Sequence, residues 1–376
     1  MPFLIYQMIH FSTCKRIRMH QAHVSTSGGY VSGEAKLGIT LRMLAGGDSL
    51  DLGALFDISI SHCRAIFLDV IVHWIYDANI GNINMDAYLN NPEALERVSH
   101  GFAQRSNGIL VGAIGAIDGW LVKISKPSRR WDGHIKNVVG FFSRKGFYAL
   151  NVQCLVDHEK KVLWAKINNK GSSHDSSCFR DSTLYNKLID ISNELYAKGY
   201  YLLGDSAYAI ESFIIPPYDS TKPMTPEDHF NFYHSSARIT VECAFGEIDL
   251  RWGIFWKRLN PCLNNAFMVI NAAMHLHNFL VTYRNNTTHS KRTYAIDRSI
   301  FVNDMCDNGI FNTVVTNDTH GGEGGRPSND ERDRRINGLL LRDKLRDTLQ
   351  DHNMHRPRKT PVIQYDRSNH IDDTEM

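Results

Sequence analysis

The sequence has almost no net charge, no paired cysteines and no long apolar run, and each of these absences excludes a class of protein. Its 42 Lys and Arg are balanced by 40 Asp and Glu, which leaves a net charge of +2. Any contact with DNA must therefore come from local clusters of basic residues. The most apolar stretch, Ala65–Tyr76, is interrupted by Asp69 and His73 and falls short of the roughly 18 apolar residues of a membrane helix. We therefore expect no membrane partner.

The seven cysteines are scattered singly, without a Cys-x-x-Cys pair. An odd number without a pairing pattern argues against a disulfide framework and fits a reducing compartment. The apolar opening Met1–Phe11 is followed by Lys15, Arg16 and Arg18, whereas a secretion signal places its basic residues first. We expect no secretion signal, and residues 1–30 are interpreted as an N-terminal extension of uncertain structure.

Residues 31–105 have apolar side chains at helical spacing. The spacing predicts three short helices over Leu37–Ile75, separated by Gly46-Gly47-Asp48 and by a turn before Ser61. This order is typical of a helix-turn-helix, although a plain three-helix packing module explains it equally well. The candidate DNA contacts of a helix-turn-helix here are Arg42, His62 and Arg64.

From Gly112 onwards, short β-like runs replace the helical pattern. These runs are Gly112–Asp118, Trp120–Ser125, Tyr148–Val156, Val162–Ile167 and Tyr200–Gly204. Two segments of helical period follow at Ser236–Asp249 and Ala266–Leu280. Together they predict an α/β domain over residues 110–282, with a mixed sheet and flanking helices.

Beyond residue 282 the chain becomes polar and rich in glycine, most of all at Gly321–Gly325. We predict a flexible polar tail over residues 283–376. It contains one late helix, Glu331–Gln350, which the alternation of basic and acidic residues predicts to be solvated or docked. The basic cluster Arg356–Lys359 favours nuclear import, so we predict a nuclear protein.

Three acidic residues stand where a purely structural carboxylate would be costly. Asp118 and Asp205 each end an apolar run, so both are predicted at strand ends, where open α/β sheets bind ligands. Glu242 lies within the apolar helical segment Ile239–Gly246, where a lone carboxylate needs a cation.

Together these carboxylates predict a catalytic metal site. Carboxylate oxygens are ligands that Mg²⁺ prefers, and Mn²⁺ is the alternative ion. Two such ions, roughly 3.5–4 Å apart, activate an attacking water or 3′-hydroxyl and stabilise the leaving oxygen of a phosphodiester. The order and spacing of Asp118, Asp205 and Glu242 are those that an RNase H-like nucleotidyl-transfer fold needs.

Five ordered blocks surround the three acids: Gly115–Gly119, Tyr148–Gln153, Ser173–Ser176, Leu203–Tyr208 and Arg238–Gly246. These blocks resemble the PIF/Harbinger group of DDE transposases and the nuclease-like proteins derived from them. The resemblance covers roughly residues 112–280 and implies an RNase H-like core with a DDE triad of Asp118, Asp205 and Glu242. It also implies metal-dependent cutting at transposon ends, strand transfer, and a separate Myb-like DNA-binding protein as partner.

Two further candidates, His174 and Asp175, lie in a loop that begins at Gly171. Asp175 would either cap the following helix or support the metal ligands from a second layer. The sequence leaves both roles open.

Basic residues cluster in two places near the acids. One cluster lies between Trp120 and Tyr148 and contains a single acid, Asp132, so it would neutralise phosphates and bind DNA in a salt-dependent way. The other follows Glu242 and mixes cations with tryptophans that could stack on bases. The candidates are Lys123, Lys126, Arg129, Arg130, Lys136, Arg144 and Lys145 in the first cluster, and Arg251, Lys257 and Arg258 in the second. Solvated loops and core packing of the tryptophans are the alternative interpretations.

Two functions of different classes follow. The first is a divalent-metal-dependent endonuclease or transposase acting on DNA. The second is a transposase-derived protein that still binds DNA or a protein partner but no longer cuts. A homodimer is expected for the first, because cutting two transposon ends needs two active sites.

Overall fold

The structure, a computed structural model, describes residues 31–76, 80–133, 135, 137–259, 262–286 and 328–357. The predicted extension over residues 1–30 and most of the predicted polar tail lie outside these residues. Five helices come first: α1 Gly33–Leu44, α2 Ser49–Phe56, α3 Ile60–Asp69, α4 Met85–Leu89 and α5 Pro92–Ala103. The α3 helix continues as a π-helix over Val70–Tyr76, and α5 ends in a 3₁₀ turn over Gln104–Ser106.

The three predicted helices before Ile75 are present, and each begins at a side-chain cap. Ser32 caps α1, Asp48 caps α2 and Ser59 caps α3, each accepting a hydrogen bond from a backbone N–H of the first turn. Asp57 ends α2 in the left-handed conformation, with a φ of 52°. The caps therefore place the breaks between the helices.

Five strands form one mixed sheet in the order β3-β2-β1-β4-β5. Their bounds are β1 Ala113–Lys123, β2 Ala149–Val156, β3 Val162–Lys170, β4 Tyr201–Leu203 and β5 Ile214–Ile215. The first three strands are antiparallel neighbours, whereas β4 runs parallel to β1 and β5 parallel to β4. This is the strand order of an RNase H-like sheet, so the predicted fold class is confirmed.

The predicted separation of Gly112–Asp118 from Trp120–Ser125 is wrong, because both runs belong to β1. Gly119 pairs with Gln153 of β2 in unbroken antiparallel register, so a glycine that suggested a strand end is extended backbone. Asp118 therefore lies in the middle of β1, between two neighbouring residues that both pair with β2.

The remaining helices surround the sheet. They are α6 Arg129–Asp132, α7 Asp175–Arg180, α8 Thr183–Asp190, α9 Ser192–Ala197, α10 Pro226–Arg251, α11 Leu263–Asn286 and α12 Asn329–Asp351, with 3₁₀ turns at Val138–Phe141 and Gly253–Trp256. The α10 helix packs on β1, β2 and β4. It starts earlier than predicted, because Thr225 caps it and Pro226 occupies its first position. No helix in the described ranges combines the length and apolarity needed to cross a bilayer.

The first helices and the sheet share one hydrophobic core. The α5 helix packs on β1, and the π-helical end of α3 packs on α11. Buried side chains of both parts, such as Ile71, Phe102 and Ile114, belong to the same cluster. The domain boundaries drawn from the sequence stay a prediction.

The late helix, α12, is docked on α10 and β5 through one face. Leu341, Leu345 and Leu349 are buried, whereas Ile336 and Leu340 on the same helix are more than half exposed. A buried carboxylate reinforces the contact: Glu211, 3% exposed, accepts hydrogen bonds from Arg334 Nε at 3.0 Å and from the Tyr185 hydroxyl at 2.7 Å.

We expect Arg334→Gln to lower the free energy of unfolding by ~2 kcal/mol, because it leaves Glu211 buried with weaker compensation. Arg335→Gln, at an exposed position of the same helix, is the matched control and should change it by less than about 0.5 kcal/mol. Urea unfolding monitored by circular dichroism measures both. Equal effects of the two substitutions would show that the Glu211 contact does not hold α12.

His277 on α11 is buried and neutral. Its Nε2 lies 2.7 Å from the Lys160 carbonyl oxygen, and its Nδ1 lies 3.0 Å from Nη1 of Arg251. Burial, followed by the charge of Arg251, lowers the pKa of His277 from 6.5 to about 4. The unfolded imidazole therefore takes up a proton at a higher pH than the folded one.

The contribution of His277 to stability is present above pH ~6.5 and is lost as the pH falls towards 4. When the pH is lowered from 7.5 to 5, the free energy of unfolding of wild type should fall by ~2 kcal/mol more than that of His277→Gln, because glutamine does not titrate. Urea titrations of both proteins at the two pH values test this. An identical pH dependence in wild type and variant would contradict it.

Candidate active site

Asp118 and Asp205 occupy neighbouring strands of the sheet. Ala116 of β1 pairs with Leu203 of β4, so Asp118 and Asp205 each follow this pair by two residues. Asp205 comes after the end of β4, as predicted, and its Oδ1 accepts from the Ala207 N–H at 2.9 Å. Asp118 Oδ1 accepts from the Gly119 N–H at 2.7 Å. Parallel pairing therefore brings together two residues that are distant in sequence.

Glu242 enters the site from α10, and it reaches Asp118 through an arginine. Arg238, one turn earlier on the helix, donates from Nη1 to Asp118 Oδ2 at 2.9 Å and from Nη2 to Glu242 Oε1. The side chains are 15% exposed at Arg238, 17% at Asp118 and 34% at Glu242. The cation that Glu242 was predicted to need is, in this structure, a guanidinium.

The carboxylates are held in surroundings that oppose their ionisation. Burial raises the pKa of Asp118 to about 7, and the charges of Asp205 and Glu242 add to this while Arg238 opposes it. Burial also raises the pKa of Asp205, against the Ala207 hydrogen bond and Arg238. Burial disfavours the charged form of Arg238, but the surrounding carboxylates outweigh it and raise the pKa of Arg238. Additional positive charge would therefore be favourable here.

Asp175 is the first residue of α7, and its carboxylate points back to the sheet instead of capping the helix. Its Oδ1 accepts from Gln153 Nε2 at 2.7 Å and from Asn151 Nδ2 at 2.8 Å. Tyr208 extends the network by donating to Gln153 Oε1 at 2.6 Å. Both amides lie on β2, on the face to which Gly119 rather than Asp118 points. His174 occupies the cap position, but its side chain makes no capping hydrogen bond.

The network requires a glycine at position 119, because the side chains of Asp175 and Gln153 approach its Cα too closely for a Cβ atom. A Cβ placed on Gly119 would lie 2.2 Å from Asp175 Oδ1 and 2.7 Å from Gln153 Nε2. Both atoms are fixed by further hydrogen bonds, so they cannot move aside freely. The glycine after Asp118 thus lets α7 and its loop pack directly behind the first acid.

The donor set is of the chemical kind that divalent metal ions bind. It consists of carboxylate oxygens, the ligands of hard cations, and the cluster of like charges is stabilised by a cation. Within the described residues, no three His, Cys, Asp or Glu side chains are arranged so that they could hold a metal ion. The Arg238 guanidinium lies between Asp118 and Glu242 instead.

Several candidate DNA contacts meet at the end of β1. Leu259 lies beside Ile124, bonded to Lys123 and Ser125 through the backbone, so Lys257 and Arg258 approach the start of the first basic cluster. Lys123 lies about 16 Å from Asp118 along the strand. The residues of this surface are exposed: Lys123, Lys126, Arg129, Arg130, Lys257 and Arg258.

Arg144 and Lys145 form a second basic point at the tip of a turn between Phe142 and Tyr148. Backbone bonds from Ser143 to Phe147 and from Gly146 to Ser143 close this turn. Both cations are exposed, and the charge of Arg144 acts on Asp205. Lys136 lies outside the described residues.

The other candidates lie elsewhere. Arg251 is 13% exposed, bonds to His277 and pairs with Glu247, so it lies in the packing between α10 and α11 and not on an open surface. Arg42 and Arg64 are exposed on α1 and α3, and His62 is half-buried. Between α1 and α3, the surface of α2 is apolar and acidic, with exposed Leu55, Asp51 and Asp57, which disfavours phosphates.

Comparison with known proteins identifies the segment that carries the site. Residues 117–278 match the family described as DDE superfamily endonuclease. This segment is therefore similar to the DDE endonucleases. The resemblance seen in the five sequence blocks is thereby confirmed at the level of the superfamily.

Two curated relatives of this chain come from Arabidopsis thaliana. Protein ALP1-like is 23% identical over 277 residues, which cover 70% of this chain and 64% of the relative. Protein Antagonist of Like Heterochromatin Protein 1 is 23% identical over 278 residues, which cover 69% of this chain and 65% of the relative. The chain thus spans just under two thirds of the length of these relatives. No solved structure matches it.

Three residues of the candidate site were not predicted from the sequence: Arg238, Asn151 and Gln153. All three lay inside blocks that carried the resemblance. A signal was present for Arg238, since a basic residue four positions before an acid on a helix can pair with it. The two amides alternate along β2, which places them on one face of the strand.

Gly119→Ala should lower the free energy of unfolding by ~1–3 kcal/mol, because the new methyl group displaces Asp175 and Gln153. Gly246→Ala is the matched control, since a Cβ there meets open space on α10. The control should raise stability by ~0.5–1 kcal/mol through helix propensity. Thermal or urea unfolding measures both. Stabilisation by both substitutions would contradict the close packing behind Asp118.

Proposed function

We propose that this chain is a divalent-metal-dependent DNA endonuclease of the Harbinger type, which cuts phosphodiesters and joins DNA ends through Asp118, Asp205 and Glu242. The observation that carries the proposal is a buried guanidinium shared by the acids. Asp118 of β1 and Glu242 of α10 both accept hydrogen bonds from Arg238, and the charge of Asp205, which follows β4, acts on the same arginine. Three like charges around one buried cation favour a site that binds further positive charge.

Each residue has a defined role in this proposal. Asp118, Asp205 and Glu242 would hold the metal ions, Mg²⁺ or Mn²⁺, two per site. When bound, such ions supply an activated oxygen nucleophile and stabilise the leaving oxygen. Asp118 lies on a rigid, fully paired strand, which fixes the first ligand. Asp175, held by Asn151 and Gln153, supports the backbone at Gly119 from behind.

The DNA would lie across the exposed basic surface at the end of β1 and the turn that carries Arg144 and Lys145. Contacts of these side chains with phosphates would make binding dependent on salt and largely independent of sequence. The α2 surface is apolar and acidic, so it is better suited to a protein partner than to DNA. If the first helices act as a helix-turn-helix, Arg42, His62 and Arg64 would contact bases.

A second candidate function is a protein that binds DNA or a partner without cutting. One relative is named as an antagonist of a heterochromatin protein, which favours a role in protein interactions for this branch. The Arg238 bridge between two of the three acids fits a site that stays intact without metal. Under this alternative DNA affinity persists and cleavage is absent.

Three further proposals accompany the first function. The protein would act in the nucleus, where its substrate lies. It would act as a homodimer, because paired transposon ends need two active sites. A separate Myb-like protein would supply target recognition. Of the basic cluster proposed for import, Arg356 pairs with Asp228 at 2.9 Å, while Arg358 and Lys359 lie outside the described residues.

Purified protein should nick supercoiled plasmid with Mg²⁺ or Mn²⁺ and should not nick it with EDTA. Asp205→Ala removes a metal ligand, and we expect it to reduce nicking by at least about 10²-fold. Asp181→Ala, an exposed acid at the end of α7, is the matched control and should retain activity. Gel electrophoresis of relaxed and supercoiled plasmid measures the rates.

Nicking that persists undiminished in Asp205→Ala, or in both Asp118→Ala and Glu242→Ala, would overturn the assignment of the site. Salt-dependent DNA binding without nicking under any metal condition would favour the second function.

A further inference from the structure

Arg238 has an unusual position for an arginine. Its guanidinium is largely buried, and its two terminal nitrogens bond to carboxylates from different elements, Asp118 on β1 and Glu242 on α10. The two hydrogen bonds come from the two terminal nitrogens, Nη1 and Nη2, so both carboxylates lie against the same planar cation. These oxygens belong to the residues proposed above as metal ligands.

Among the residues that the structure describes, no second cation is hydrogen-bonded to the same carboxylates. His234, one turn earlier on α10, bonds through Nε2 to the Ile215 carbonyl oxygen at 2.8 Å. Lys160 pairs with Glu247 further along the helix. Arg144 is exposed and acts on Asp205 from the turn between Phe142 and Tyr148. The compensation of Asp118 and Glu242 therefore depends on Arg238.

A divalent ion and the guanidinium compete for the same oxygens. Asp118 Oδ2 and Glu242 Oε1 each accept a hydrogen bond from Arg238, and a metal ion that binds them must replace at least one of these contacts. The positive charge of a retained guanidinium would also repel the incoming ion, since both lie within a few ångströms in a partly buried site.

We propose that Arg238 is a built-in counter-ion that competes with divalent cations for Asp118 and Glu242 and thereby sets the affinity of the site for metal. The proposal rests on the metal site proposed above. It makes Arg238 a regulating residue, which keeps the carboxylate cluster folded without metal and weakens metal binding. The opposite possibility is that Arg238 holds the two carboxylates in position and is needed for metal to bind.

Binding of Mn²⁺ to the full chain decides between these possibilities. Electron paramagnetic resonance of free aqueous Mn²⁺, with isothermal titration calorimetry as a second method, would give the dissociation constant for wild type and Arg238→Gln. We expect Arg238→Gln to bind Mn²⁺ at least about tenfold more tightly, because a competing unit charge has been removed. Weaker, equal or undetectable binding by the folded variant would overturn the proposal.

Arg251→Gln is the matched control. Arg251 lies on the same helix, has a similar exposure and pairs with a glutamate four residues earlier, but its partner, Glu247, is outside the proposed site. Its substitution should leave Mn²⁺ affinity unchanged. A tenfold gain in this control as well would overturn the proposal, because general charge loss would then explain the effect.

Circular dichroism and urea unfolding establish that each variant is folded. If Arg238→Gln does not fold, Arg238→Lys takes its place, since it retains the charge but its ammonium cannot bridge both carboxylates as a planar fork does. We expect about threefold tighter Mn²⁺ binding for Arg238→Lys, and unchanged or weaker binding would overturn the proposal.

Plasmid nicking by the same samples separates this proposal from the proposed function. Tighter Mn²⁺ binding without nicking would support the role of Arg238 and count against endonuclease activity. Nicking by wild type with no gain of Mn²⁺ affinity in Arg238→Gln would support the endonuclease and overturn the role of Arg238.

Discussion

A negative charge in the middle of a paired strand is the constraint on which the site depends. Asp118 has backbone partners on β2 at its own position and on both sides, so its side chain cannot retreat to a flexible loop. Burial alone would drive such a carboxyl towards its neutral form. One long helix, α10, offsets this cost. It packs on the sheet and places a second acid, Glu242, and a cation, Arg238, at the same site as Asp118.

The two faces of β1 hold Asp118 and its neighbour Gly119 through different contacts. On one face, Asp118 meets Arg238 and Glu242 of α10. On the other face, Gly119 provides the space in which Asp175 bonds to Asn151 and Gln153. A polar network whose members are hydrogen-bonded to each other is rigid, and it fixes the backbone beside the first acid. The position of Asp118 is thereby determined from both sides of the sheet.

The loop that carries Asp205 is stabilised by contacts that lie outside the candidate site. It leads to Glu211, a buried carboxylate that bonds to Tyr185 of α8 and to Arg334 of α12. The late helix, α12, is therefore part of the folded structure, because it packs against β5 at the edge of the sheet.

Much of the candidate site could be predicted from the sequence because short-range patterns encode it. Apolar runs ending in Asp118 and Asp205 indicated buried strands, and the breaks at Gly46-Gly47-Asp48 and before Ser61 separated the first helices. The order of the acids and the blocks around them indicated the superfamily. The strand break predicted at Gly119 is wrong. A glycine can continue a strand when the neighbouring strand pairs with it, and here Gln153 of β2 pairs with Gly119.

The sequence by itself determined which acids are present, their order relative to the strands and to the long helix, and the family that the segment resembles, because these follow from local patterns and from order along the chain. The tertiary structure alone decided that Arg238 lies between Asp118 and Glu242, that Asp175 faces the sheet and that α12 holds Glu211. Each of these depends on contacts between residues far apart in sequence, and such contacts exist only after the sheet has paired and the helices have packed on it.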